Sequence, residues 1–173
     1  VILVEGDVEE ILIPILIKLV LGVSVDELGI SVINIRSTGF KNVAVLFHDL
    51  RIKKRCAIIT DLDKAFFNIT VQATDNAIVA KIKAKAAGSQ KAGLERQADL
   101  TEFTAENPWI ETFYAKHTFE VDFVAAGNQE AIVQTIPKVY KDQVTREEAK
   151  LQLKSGDLQQ MGSRTLTMAR QEG

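Results

Sequence analysis

Four acidic side chains are spaced in two pairs that suit a divalent cation. Glu5 and Glu9 stand at the start of a long apolar run, and Asp61 and Asp63 follow the apolar segment Cys56–Thr60. Because side chains alternate along a strand, Asp61 and Asp63 are predicted to lie on the same side of the chain. Carboxylate oxygens without a His or Cys partner favour Mg²⁺ or Mn²⁺ over zinc. The pattern therefore indicates a metal site of the kind used on phosphate groups.

The first 63 residues alternate between strand and helix patterns, which is typical of a parallel sheet. The segments with strand patterns are Val1–Val4, Ile30–Ile35 and Cys56–Thr60. Asp7 and Glu10 fit a capping box, so a helix is predicted to begin at about Asp7. A short amphipathic helix is predicted over Lys41–Leu50. Three parallel strands are therefore expected in this part of the chain.

The apolar stretch Ile11–Val23 follows the predicted start of the first helix. It contains Pro14 and Lys18 and is shorter than the roughly 20 apolar residues that a membrane span needs. We therefore predict a helix in the protein core and no membrane association.

The predicted sheet would bring the four acids together. In open α/β sheets, ligands bind outside the carboxyl ends of the strands, and both acidic pairs follow a strand. Taken singly, each acid also has a structural explanation. Glu9 would complement a helix dipole, Glu5 would be a turn residue, and Asp61 with Asp63 would form a solvated turn. The combination favours a metal site.

The remainder of the chain changes character after residue 63. The predicted parts are 1–63 as the first part of the core, 64–108 as an insertion, 109–130 as the second part of the core, and 131–173 as a C-terminal helical segment. The insertion is expected to be mobile and to lie on the surface. Its lysines, Lys81, Lys83, Lys85 and Lys91, either contact phosphate groups of a ligand or form a solvated helix face.

The acidic motifs together resemble those of a Toprim domain. The segments that carry the resemblance are Leu3–Glu10, Gly39 and Ile58–Asp63. The spacing of the first two acids and the long C-terminal extension are most similar to the OLD (overcoming lysogenization defect) family, ATP-dependent endonucleases of bacteria and phages. The resemblance implies a Rossmann-like parallel sheet of about four strands flanked by helices. It also implies a metal-dependent DNA endonuclease.

The resemblance further implies two metal ions, Mg²⁺ or Mn²⁺, with Ca²⁺ as a non-productive substitute. The implied ligands are Glu5, Glu9 and Asp61 for one ion, and Asp63, Thr118 and Glu120 for the other. Thr118–Glu120 matches a Ser/Thr-x-Glu element that follows the fourth strand in this family. Glu120 alone is equally well explained as a helix-start acid, and Asp122 is a nearby alternative.

Partners and compartment are expected from composition and from the resemblance. A formal net charge of -2 argues for a local DNA contact rather than a general polyanion surface. Cys56, the single cysteine, stands in an apolar run and predicts a buried thiol in the cytoplasm. The family implies a preceding ABC-type ATPase domain. Because the sequence begins directly with a strand-like segment, we also expect that a domain precedes it. The sequence leaves open whether the protein forms a homo-oligomer.

One element of the family is absent from the sequence. The family places a lysine in a Gly-Lys-Gly-like element near its C-terminus, and no such element occurs before Gly173. We expect this lysine to lie beyond Gly173. Its absence leaves a second hypothesis, a non-catalytic Toprim-like module that binds metal and DNA.

Overall fold

A computed structural model describes residues 1–36 and 38–171 of the chain. In these residues four strands form one sheet, in the order β2-β1-β3-β4, and all neighbouring strands are parallel. The strands are β1 (Ile2–Val4), β2 (Val32–Asn34), β3 (Cys56–Asp61) and β4 (Ile110–Ala115). The predicted α/β fold with a parallel sheet is confirmed, and each predicted strand is present with slightly different ends.

The helices connect the strands and then form the C-terminal third of the chain. They are α1 (Asp7–Leu21), α2 (Phe40–Ala44) followed by a 3₁₀ turn (Val45–Phe47), α3 (Ala77–Thr104), α4 (Phe119–Phe123), α5 (Gln129–Val139), α6 (Gln143–Leu153) and α7 (Leu158–Gln171). Gly127, with φ of 93°, introduces a kink between α4 and α5. Pro137 lies inside α5, two residues before its end.

The chain separates into two compact units. The first comprises Val1–Leu62 and Lys91–Ala115, and the second comprises Asp63–Gln90 and Lys116–Gly173. Helix α3 therefore contributes its first half to the second unit and its second half to the first. The segment 64–108, predicted as one insertion, is divided between the two units.

The core of the first unit lies between the sheet and the helices that cover it. Its buried residues are Leu3, Phe40, Ala44, Phe47, Cys56, Ile58, Leu100 and Ile110. Leu100 belongs to α3, and a Cβ atom on Gly93 of the same helix would lie 2.1 Å from the carbonyl oxygen of Leu62. The expectation that this region is a mobile surface insertion is therefore wrong for the second half of α3. Gly93 and Leu100 lie on the packed face of α3, within a sequence that is otherwise rich in alanine.

The core of the second unit is built by the C-terminal helices. Its buried residues are Val124, Ile136, Tyr140, Ala149, Leu153 and Met168. Gly162 of α7 faces Phe66, whose ring would lie 3.0 Å from a Cβ atom at that position. The predicted helical C-terminal part is thus a packed unit with its own core.

Helix α1 is not the core helix that the sequence predicts. None of its residues is buried, although it packs beside β2. Val8, Ile11, Ile15 and Leu19 form an outward stripe at helical spacing, with Leu19 76% exposed. A helix that is apolar all round can bury only the side that faces its sheet, so the outer stripe faces solvent. No helix within 1–36 and 38–171 is long and apolar enough to cross a bilayer.

The start of α1 also differs from the prediction in detail. The helix begins at Asp7 as expected, but its N-cap is Gly6 and no side chain caps it. Asp7 instead accepts a hydrogen bond from Asn34 Nδ2 at 2.6 Å. The predicted capping box is therefore wrong, because the Asp7 carboxylate is engaged by the end of β2 rather than by its own helix.

Candidate metal centre

Glu5 lies directly after β1, at the carboxyl end of the sheet. Its Oε1 atom accepts a hydrogen bond from Thr60 Oγ1, on the neighbouring strand β3. Arg96 Nη2 lies 3.5 Å from the same oxygen, and the Arg96 and Glu5 side chains are 11% and 26% exposed. The carboxylate is therefore held in a defined position by one hydroxyl and one cation.

Asp61 is the last residue of β3 and is half-buried. Parallel pairing of β1 with β3 aligns Leu3 with Ile58, which brings the ends of both strands to the same edge of the sheet. Arg96 donates a hydrogen bond to the Asp61 main-chain carbonyl while it contacts Glu5. One guanidinium thus links the ends of the two strands.

Glu9 occupies the first turn of α1 and is half-buried. Its carboxylate turns back toward the start of the helix, where a Cβ atom on Gly6 would lie 3.1 Å from Glu9 Oε2. A side chain at position 6 would compete with this carboxylate for space. Gly6, which follows Glu5, therefore leaves room for the second acid.

Asp63, Thr118 and Glu120 belong to the second unit. Asp63 adopts a left-handed backbone conformation with φ of 51°, and it lines a pocket together with Thr118. The Thr118 Oγ1 atom is buried and has no hydrogen-bond partner within the described residues. Glu120 is half-buried in the first turn of α4 and does not line that pocket. Two of the three predicted ligands in this unit therefore face one cavity.

His117 fixes the turn that precedes Thr118. The imidazole is buried, and its Nδ1 donates a hydrogen bond to the Lys64 carbonyl. Its main-chain N–H donates to Asp122 Oδ2 at 3.0 Å. Asp122, the alternative ligand, thus holds this turn, and His117 has a structural role.

The donor set suits a hard cation in type but does not form a closed cage. All predicted ligands offer oxygen atoms, as Mg²⁺ and Mn²⁺ prefer. Within the described residues, however, no three His, Cys, Asp or Glu side chains converge closely enough to hold a metal ion. The positive charge beside Glu5 comes from Arg96. The buried Thr118 hydroxyl is a further oxygen donor whose hydrogen-bonding capacity is open to a ligand.

Sequence reasoning missed two residues that shape this site, Thr60 and Arg96. Thr60 was assigned only to a strand, and Arg96 fell in the predicted insertion. The available signal was the spacing of Gly93, Arg96 and Leu100, which recurs at helical intervals and places all three near one helix face. Gly93 permits the close approach of α3, and that approach brings Arg96 to Glu5.

Comparison with protein families gives a match over the first part of the chain. Residues 1–63 match the family model described as "Overcoming lysogenization defect protein-like, TOPRIM domain". This match confirms the resemblance that the acidic motifs carry. A comparison with curated proteins gives no match.

The fold is that of solved C-terminal regions of OLD proteins. The region from Burkholderia pseudomallei has a TM-score of 0.63 at 24% identity, covering 99% of this chain and 80% of that chain. The region from Xanthomonas campestris pv. campestris has a TM-score of 0.62 at 20% identity, covering 99% of this chain and 78% of that chain. These similarities extend the shared fold across both units.

Proposed function

With residues 1–63 identified as an OLD-like Toprim segment, we propose that the chain is the catalytic part of a divalent-metal-dependent DNA endonuclease. The reaction is hydrolysis of a phosphodiester bond with Mg²⁺ or Mn²⁺. An ABC-type ATPase domain and DNA are the proposed partners, and both come from the family resemblance.

One observation carries the proposal, the placement of two acids at the ends of adjacent strands. Glu5 and Asp61 stand at the carboxyl ends of β1 and β3, where open parallel sheets bind their ligands. A carboxylate that only balanced a surface charge would not need both Thr60 and Arg96 as partners. The arrangement supports a site that binds cations and phosphate.

The proposed ligands divide between the two units. Those of the first unit are Glu5, Glu9 and Asp61, and those of the second are Asp63, Thr118 and Glu120. Bound Mg²⁺ or Mn²⁺ would supply Lewis-acid stabilisation of phosphoryl oxygens and a lowered pKa for attacking water. The chain's own contribution is to position the carboxylates. No side chain has to act as the nucleophile.

Arg96 has a distinct role in this proposal. Its guanidinium neutralises Glu5 while it holds the Asp61 carbonyl, so it keeps the two strand ends in register. A planar guanidinium also suits a phosphate oxygen. Arg96 is therefore proposed to hold the two strand ends in place in the metal-free protein.

The second candidate function is a non-catalytic Toprim-like module that binds metal or DNA. The observation that favours it is that no three acidic, His or Cys side chains converge within residues 1–36 and 38–171. The two functions differ in whether the phosphodiester bond is broken.

Metal binding tests the ligand assignment. Isothermal calorimetry with Mn²⁺ is expected to show binding that weakens by about tenfold or more in Glu5→Gln and in Asp63→Asn. Glu10→Gln is the matched control, since Glu10 is an exposed acid on α1 outside the proposed set. Equal binding by all variants would mean that the ligand assignment is wrong.

Cleavage separates the two candidate functions. A fluorescent duplex oligonucleotide is incubated with the complete natural protein and Mn²⁺, and the products are resolved on a denaturing gel. Metal-dependent products that disappear in Asp61→Asn support the nuclease. Tight DNA binding with intact strands at high protein concentration would favour the non-catalytic module.

A further inference from the structure

A pocket of about 290 Å³ opens within the second unit, beside Asp63 and Thr118. Its walls come from the first half of α3, from α7 and from the segment after Asp63. The volume is near the lower end of the range for small-molecule sites, which run from roughly 300 to 1,000 Å³. The pocket therefore suits one small group and is too small for a duplex.

The charge of the pocket is predominantly positive. Lys64, Lys85 and Arg170 line it against a single lining acid, Asp63. All three cations are exposed, and none forms an ion pair with another described residue. Lys83, two residues before Lys85 on α3, differs because its Nζ atom lies 2.7 Å from Asp75 Oδ2. The pocket cations are therefore available to an anionic ligand.

The rest of the lining is apolar and aromatic. Phe66 and Phe67 contact each other edge to face with ring centroids 5.3 Å apart, and both rings are half-buried. Ile82 and Leu166 extend this apolar wall. Phosphate alone would gain nothing from such a wall, whereas a nucleobase packs on apolar and aromatic side chains. The combination selects a ligand with both an anionic and a flat apolar part.

We propose that this pocket binds one unpaired nucleotide of single-stranded DNA, with its base on the Phe66 wall and its phosphate at Lys85 and Arg170. The proposal deepens the nuclease function and rests on it for the choice of DNA as the ligand. Single strands are recognised by a cationic groove with aromatic side chains, which is what the lining provides. A base inside a duplex would have to leave the stack to enter the pocket. The pocket therefore makes frayed, gapped or single-stranded DNA the preferred substrate.

Binding without cleavage tests this inference. Fluorescence anisotropy is measured with a labelled ten-residue oligothymidylate and with a blunt duplex of the same length, in EDTA. The wild-type chain is expected to bind the single strand more tightly. Lys85→Ala is expected to weaken single-strand binding by about three- to tenfold. Lys81→Ala, one helical turn earlier on α3 and outside the pocket lining, is expected to change it less than about twofold.

A pocket-filling variant tests the same site without removing a charge. Ser163 is exposed on α7 and lines the pocket, so Ser163→Phe fills the cavity without entering the core. We expect it to weaken oligothymidylate binding by about tenfold while the melting temperature stays within a few degrees of the wild type. An abasic deoxyribose-phosphate strand of equal length is expected to bind as weakly as this variant does.

The outcomes distinguish the pocket from the nuclease proposal. Wild-type affinity in both Lys85→Ala and Ser163→Phe, or an abasic strand that binds as tightly as oligothymidylate, would overturn the nucleotide pocket. Because no cleavage is measured, an inactive protein that retains these binding differences would refute the nuclease and leave the pocket standing. A protein that cleaves DNA but binds single strand and duplex equally would refute the nucleotide pocket and leave the nuclease proposal standing.

Discussion

Arg96 Nη2 lies 3.5 Å from Glu5 Oε1, and both side chains are largely withdrawn from solvent. The same guanidinium donates to the Asp61 carbonyl, so a protein cation neutralises the strand ends where metal binding is proposed. A cation that enters this place has to compete with Arg96 for Glu5. We therefore expect stability and metal affinity to be coupled through this arginine.

Removal of Arg96 should expose this coupling. In Arg96→Gln, Glu5 keeps its negative charge in a place that is only 26% exposed, so we expect a loss of about 2 kcal/mol in the free energy of unfolding without metal. Mn²⁺ should then raise the melting temperature more than in the wild type, because no guanidinium competes for the carboxylate. Differential scanning fluorimetry with and without Mn²⁺ measures both effects.

Arg55→Gln serves as the control, because Arg55 is an exposed cation at the opposite end of β3. Arg55→Gln should have the same melting temperature as the wild type, both with and without Mn²⁺. An Arg96→Gln protein as stable as the wild type in EDTA would mean that the contact with Glu5 contributes nothing.

Two glycines of α3 should respond in opposite ways to alanine. A Cβ at Gly93 would lie 2.1 Å from the Leu62 carbonyl oxygen, whereas a Cβ at Gly88 meets nothing within 4 Å. Gly93→Ala is therefore expected to lower the free energy of unfolding by about 3 kcal/mol or more. Gly88→Ala should raise it by about 0.5–1 kcal/mol, since alanine is the better helix former. Urea denaturation checks both, and equal stability of the two variants would contradict the close packing of α3.

The outer stripe of α1 should tolerate a charge. Leu19 is 76% exposed, so Leu19→Glu is expected to change the melting temperature of the isolated chain by only a degree or two. Leu3, on β1, is fully buried, and Leu3→Ala should cost about 2–5 kcal/mol. Thermal unfolding followed by circular dichroism compares them. A large decrease in the melting temperature of Leu19→Glu would support the interpretation of α1 as a core helix.

Cys56 should be chemically inert at neutral pH. Burial raises the pKa of its thiol to about 11, so about one molecule in a thousand carries the thiolate at pH 8. Iodoacetamide labelling is expected to be slow in buffer and fast in denaturant. The shift also predicts that the fold loses stability as pH rises from about 8.5, the ordinary cysteine value, toward 11, because the unfolded chain releases this proton first. Cys56→Ala should show a shallower decline, and rapid labelling of the native chain would contradict the burial.

The sheet could be predicted because its strands carry strong local patterns. Cys56–Thr60 is a short apolar run that ends in acids, and the structure places it as β3 with Cys56 buried. The parallel direction of the strands follows from the alternation of strand and helix patterns, whereas their order in the sheet does not. Local pattern and tertiary packing agree in these segments, so the sequence alone indicates the fold.

The packing of the helices could not be predicted in the same way. Helix α1 is apolar around most of its circumference, so periodicity cannot tell which side the sheet covers. Helix α3 shows the opposite problem, since its packed residues stand among alanines and lysines. The spacing of Gly93, Arg96 and Leu100 indicates a shared helix face, but it does not indicate that this face brings Arg96 to Glu5.

The most direct test of the central claim is the relaxation of supercoiled plasmid by the complete natural protein in Mn²⁺. We expect nicked or linear product with the wild type and with Glu10→Gln, an exposed acid of α1 outside the ligand set. Glu5→Gln and Asp61→Asn should reduce the rate by about a hundredfold or more. Plasmid that stays supercoiled with the wild type, or is nicked equally by all four proteins, would contradict a metal-dependent nuclease built on these carboxylates.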